Sequence, residues 1–173
     1  SMSDTGDTMA ADLEPLMLEL GKAVYICQAF ESSLCLLHAM MTHEETGGQE
    51  GAFTASWDFH SAKTLGQTIN ALRKRIDIPA DLNDYLEEGV KYRNQIVHGF
   101  LTKIMPRLME FKGRLEVQKE LEALKLEVKR RDVVVNKFLD ALFAKYGLSN
   151  KDLKRQAGEL YVAKNNPGSS GAH

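Results

Sequence analysis

With only two cysteines, no long uninterrupted apolar run and almost no net charge, this 173-residue chain offers few of the usual handles. Cys27 and Cys35 lie eight positions apart on what reads as one helix, roughly 12 Å along its axis and too far to bridge. They read as buried thiols in a reducing compartment. No apolar run approaches membrane-spanning length and no leader is visible, so a cytoplasmic protein without a membrane partner is the expectation. A formal net charge of -2 gives the whole molecule no bias toward polyanions, so a nucleic-acid partner would need a local basic patch. There is no Gly-rich phosphate loop and no strand pattern to support one. No Glu-x-x-His pair occurs, which argues against a di-iron bundle, and two cysteines with scattered histidines do not make a zinc site. No metal or cofactor is expected.

What the chain does have is helical periodicity. At this length, with 43% hydrophobic and 27% charged residues, it reads as one soluble domain able to bury a core. Residues 1–10 are polar and acidic and read as a disordered tail, with Ser1 ahead of Met2 an expression scar. Residues 11–164 form the helical domain, and 165–173 are a Gly/Ser-rich disordered tail. From about Asp12 to Glu45, Leu13, Leu16, Leu20, Ala23, Cys27, Phe30, Leu34, Leu37 and Met41 follow three-four steps, with Pro15 suited to a first turn. Glu31 interrupts that face, either as a solvated charge or as a partner for Arg93. His38 and His43 read as packing and surface residues.

After a loop marked by Gly47, Gly48 and Gly51, Ser56 or Asp58 caps a second helix. Its stripe is Ala62, Leu65, Ile69, Leu72 and Ile76. Arg73, Lys74 and Arg75 at its end either match the helix dipole or follow a phosphate backbone. Pro79 opens a third helix that should end before Pro106. A connector from Met105 to Gly113, partly extended, carries Arg107. A fourth helix then runs from about Leu115 to Tyr146, with Val117, Leu121, Leu124, Val128, Val135, Phe138 and Leu142 in register and Gly147 as its stop. Lys125, Lys129, Arg130 and Arg131 give its middle a basic character. Ser149 and Asp152 start a short last helix. The expected architecture is all-α: a mostly antiparallel four-helix bundle plus that short C-terminal helix.

The stretch Lys91-Tyr92-Arg93-Asn94-Gln95-Ile96-Val97-His98-Gly99-Phe100 stands out in the third helix. Arg93 falls amid Leu82, Leu86, Gly89, Ile96 and Phe100, where an unpartnered guanidinium would be costly. Asn94 falls on the neighbouring row, between Val90 and Val97. Five residues separate Arg93 from His98, roughly 140° on an ideal helix. The two converge on one phosphate only where the helix loosens, for which Gly99 is a suitable place, or where symmetry brings two copies together.

This Arg93-Asn94-x3-His98 arrangement resembles the signature of the HEPN superfamily, small helical proteins many of which are RNases. The motif covers about ten residues, and beyond it the likeness is architectural. The resemblance implies a metal-independent endoribonuclease of toxin or defence type, acting on RNA at a site shared by a homodimer. His98 would move the proton, Arg93 would clamp the phosphate and Asn94 would orient. The 2′-hydroxyl would attack phosphorus, leaving 2′,3′-cyclic phosphate and 5′-hydroxyl ends. Tyr92, Glu31, Arg73, Lys74 and Arg107 are weaker substrate-binding candidates. A cognate antitoxin or regulatory protein is a possible partner. HEPN toxins often carry a modifiable Tyr two residues after the His, and this chain has Phe100 there, with no hydroxyl to modify. The alternative is a non-catalytic HEPN-like module that dimerises or binds a nucleotide or a partner protein.

Overall fold

In the computed structural model the described residues are 4–75 and 78–147, with 151, 155 and 159; side chains are described from Leu13 onward. The expected short last helix and the C-terminal tail lie outside the described residues. Every regular element among the described residues is helical. They are α1 (Asp4–Glu45), α2 (Ala52–Ser61), α3 (Leu65–Arg73), α4 (Ala80–Val97), α5 (Phe100–Ile104) and α6 (Phe111–Ala144), with a 3-10 turn at Met105–Met109 between the last two.

The first helix starts earlier than its apolar pattern indicates. It is helical from Asp4, where the sequence suggested a disordered tail. Pro15 consequently sits inside α1 and not in its first turn. Leu16, Ala23, Cys27, Phe30, Leu34, Leu37 and Met41 are buried as their spacing requires. Leu13–Glu45 is interrupted by Glu14, Glu19, Lys22 and Glu31, yet by length and composition it is apolar enough to cross a membrane; half of its most apolar 18-residue window is buried inside the protein, as in a core helix.

The expected second helix is two. α2 ends at Ser61, and Thr64 begins α3 with a reciprocal capping box: Gln67 N–H donates to Thr64 Oγ1, and Thr64 N–H donates to the Gln67 side chain. Neither Ser56 nor Asp58 caps a helix, since both lie within α2. Thr64-x-x-Gln67 is the capping signature, and it was visible in the sequence. Leu65, Ile69 and Leu72 are buried as expected. α1 packs against α2, α3 and α4, and α3 against α4.

Two compact units divide the chain. The first runs from residue 1 to Val135 and the second from Asn136 onward. In the first, α6 buries Val117, Leu121, Val128 and Val135, and the slot between the last two is filled by Arg131, 2% exposed. In the second, Leu139 and Phe143 are buried while Phe138 is exposed, so the buried row moves one position from the expected register. Gly147 follows with a positive φ of 66°.

Arg131 is the main departure from the sequence reading of α6 as simply basic. Its Nε donates to the Tyr85 carbonyl at 2.8 Å, and its other nitrogens reach Glu88 and Glu127. The guanidinium lies 4.2 Å from the Tyr85 ring centroid and 4.9 Å from that of Tyr92. A buried cation is tolerated when its nitrogens are hydrogen-bonded to carboxylates and a carbonyl and aromatic rings lie close by in this way. Arg131 thereby ties α6 to α4.

Candidate functional site

α4 does not carry the motif to its end. It stops at Val97, His98 takes an extended conformation as the C-cap, and Gly99 turns the chain at φ 73° before α5. Glycine accepts a left-handed φ without the steric cost other residues meet. Most of the expected connector coils: Met105–Met109 forms a 3-10 turn, and Glu110 alone is extended before α6 begins at Phe111.

The break brings together side chains that a straight helix would hold apart. Arg93 Nη1 lies 3.0 Å from His98 Nε2 and donates to Asn94 Oδ1 at 3.1 Å. Because a guanidinium can only donate, His98 Nε2 accepts, and the hydrogen-bond network assigns the imidazole proton to Nδ1. From α1, Glu31 Oε1 accepts from Arg93 Nε at 2.7 Å. Nε and Nη1 are therefore engaged, and among the described residues Nη2 has no partner. That leaves one edge of the guanidinium available to an anion. Arg93 is partly buried, with 20% of its side chain exposed, while Asn94 and His98 are exposed. Asn94 does not lie on a buried row, and Val97 is 40% exposed.

The weaker candidates divide. Glu31 joins the cluster directly. Tyr92 is turned to the Arg131 guanidinium instead. Arg73 pairs with Asp84 at 2.8 Å and with Glu87, and Arg107 is held bidentately by Glu120 at 2.7 and 2.8 Å. Carboxylates thus neutralise both, and neither hydrogen-bonds to the Arg93 cluster. Lys74 is exposed and has no contact with it among the described residues. Arg75 binds His38, Thr42 and Glu45, so its role is to close the end of α3 onto α1.

His38 is buried, in keeping with its reading as a packing residue, while its pairing with His60 and a cavity beside Glu31 were not read from the sequence. The His38 ring stacks on that of His60 with centroids 3.9 Å apart. Its Nε2 donates to the Thr68 carbonyl at 2.9 Å while Nδ1 accepts from Arg75 at 3.2 Å. Burial holds its pKa down at about 4, so the ring is neutral at physiological pH. Beyond Glu31 from Arg93 opens a cavity of about 130 Å³ between α1, α2 and α3, lined in part by Trp57, His60 and Lys63. The only signal for it was the chain's single tryptophan. Cys27 and Cys35 are free and buried as expected, and burial pushes the Cys27 thiol up to about 11. Among the described residues no cluster of three or more His, Cys, Asp or Glu could hold a metal ion.

These observations define an all-helical protein with a cation-centred cluster, Glu31–Arg93–Asn94–His98, at a helix break. Among curated proteins the chain is similar to protein GrpE of Bacillus velezensis, 32% identical over 107 residues, which cover 58% of this chain and 52% of that protein. The chain spans about half the length of that relative. No family model matches the chain, and no solved structure does.

Proposed function

We propose that this chain is a HEPN-like, metal-independent endoribonuclease of toxin or defence type, built on a mostly antiparallel four-helix bundle and working in the cytoplasm. The observation that carries the reading is the 3.0 Å approach of Arg93 Nη1 to His98 Nε2 across the break at Gly99. RNA cleavage by the substrate's own 2′-hydroxyl needs a base for that hydroxyl, a proton for the leaving 5′-oxygen and positive charge beside phosphorus. A neutral His98 would suit the first task once the substrate phosphate draws Arg93 Nη1 off its Nε2 lone pair. The open Nη2 edge of Arg93 suits the third, since a guanidinium stays charged and binds phosphate oxygens in a fork. Asn94 orients Arg93 by accepting from Nη1, and Glu31 fixes the guanidinium from α1.

One chain supplies one such His, so a second copy is needed for the acid. Around and after His98 in the chain, Val97, Leu101, Met105 and Met109 are apolar and 40% to 71% exposed. A surface of that kind, adjoining His98, suits a twofold partner. The test is cleavage of mixed RNA in EDTA by the wild-type chain and by His98→Ala. Cleavage by the former and none by the latter supports the reading, and equal cleavage by both would overturn it. An antitoxin or other regulatory protein is a further partner of this reading.

A second reading is favoured by the Glu31–Arg93 pair. With Nε and Nη1 already satisfied inside the chain, the cluster can be structural, and the domain would then dimerise or bind a nucleotide or partner protein without cutting RNA. Retained RNA or nucleotide binding with no cleavage would select it.

A further inference from the structure

Glu31 has two sides. One carboxylate oxygen holds Arg93 at 2.7 Å, and the same side chain forms a wall of the cavity between α1, α2 and α3. Among the described residues the other oxygen, Oε2, has no hydrogen-bond partner. The remaining wall is mixed: Trp57, the buried His60 and Ser61 line it together with the apolar Cys35 and Leu65, and Lys63 stands at it with its ammonium 4.9 Å above the Phe59 ring. His60 is held in place by its stack on His38, so that wall is rigid. At about 130 Å³ the space takes one planar heterocycle and no base pair.

We infer that this cavity is a nucleobase subsite selective for guanine, positioned by Glu31 next to the phosphate-binding edge of Arg93. The inference rests on reading this face as an RNA-binding one. An ionised carboxylate only accepts, so it selects a base edge rich in N–H donors. Guanine places N1–H and N2–H side by side, and both can meet Glu31, through Oε2 and the second lone pair of Oε1. Uracil offers a single N3–H flanked by two carbonyls that the carboxylate repels. Adenine and cytosine offer one amino group each. An aromatic wall such as Trp57 adds stacking that every base shares, so selection would come from Glu31 alone. The ammonium of Lys63 would meet the phosphate attached to the bound nucleotide. A guanosine bound this way would have its neighbouring phosphate at Arg93 and His98, and cleavage would fall beside guanine.

The single tryptophan makes the test direct. The wild-type chain is titrated with GMP, AMP, CMP and UMP while Trp57 fluorescence is recorded, beside Glu31→Gln and Ser32→Leu. Ser32 is an exposed residue of α1 at the cavity wall, and a leucine there fills the space without touching Arg93. Quenching by GMP at about tenfold lower concentration than by UMP is expected from one bidentate base contact. Loss of that quenching in Ser32→Leu, with an unchanged circular-dichroism melt, supports the subsite even if Glu31→Gln does not fold. Equal quenching by all four nucleotides, quenching by inorganic phosphate alone, or none would overturn it. GMP-selective quenching without RNA cleavage would remove the nuclease reading and leave the base site. Cleavage with no preference for guanine would do the reverse.

Discussion

Gly89 lies directly against Arg131: a Cβ at Gly89 would come within 2.8 Å of Arg131 Cδ and 3.0 Å of the Phe30 ring. Phe30 precedes Glu31 on α1, and Gly89 lies one turn before Arg93 on α4. The missing side chain lets α4 approach both neighbours closely enough for Glu31 to reach Arg93. Gly89→Ala should therefore destabilise the protein by about 1–3 kcal/mol through overpacking, despite the better helix propensity of alanine. Urea denaturation checks it, read as a lower midpoint at unchanged slope.

Gly99→Ala tests the break itself. At φ 73° a Cβ costs about 1–2 kcal/mol, although nothing lies within 4 Å to obstruct it. The strain is conformational and local. Cleavage of RNA should fall more than the stability loss accounts for, because relief of the strain moves His98 away from Arg93. Unchanged cleavage with reduced stability would show that the His98 position is not set by Gly99.

How much of this was legible in the sequence follows from what each residue contacts. The α1 core row could be read because its partners are apolar and nonspecific, so spacing alone decides burial. The partnership of Glu31 and Arg93 was one of two readings, and the structure selects it across 62 positions of chain. The possible loosening at Gly99 was also readable, since a glycine after a helical stretch has few other uses. Arg131 was not. Its burial depends on Tyr85, Tyr92, Glu88 and Glu127 arriving together, which no periodicity encodes. The pairings of Arg73 and Arg107 with carboxylates were equally long-range, and a list of basic residues made both look available. Thr64-x-x-Gln67 was a local signal that the apolar stripe from Ala62 to Ile76 concealed.

Glu31→Ala should cost about 1–2 kcal/mol, between the values for exposed and buried ion pairs, because the two side chains are partly exposed. A double-mutant cycle with Arg93→Ala measures the coupling. No coupling would mean the pair contributes packing only.

Stability should fall on mild acidification. His38 has its pKa lowered from 6.5 to about 4 by burial, so between those values the unfolded chain binds a proton that the folded chain does not. The stability conferred by the neutral ring is complete above about 6.5 and is lost as pH falls toward 4, by at most about 3 kcal/mol. Burial lowers His60 in the same direction. Urea midpoints from pH 7 to pH 4 check this, and His38→Gln, which keeps a donor for the Thr68 carbonyl, should flatten the profile.

The proposed activity is cleavage of RNA through its own 2′-hydroxyl by Arg93 and His98. The most direct measurement is the end chemistry of RNA incubated in EDTA with the purified chain, beside Arg93→Ala. The account predicts 2′,3′-cyclic phosphate and 5′-hydroxyl ends from the wild type and intact RNA from the variant. Intact RNA in both, or 5′-phosphate ends that persist in the variant, would contradict it.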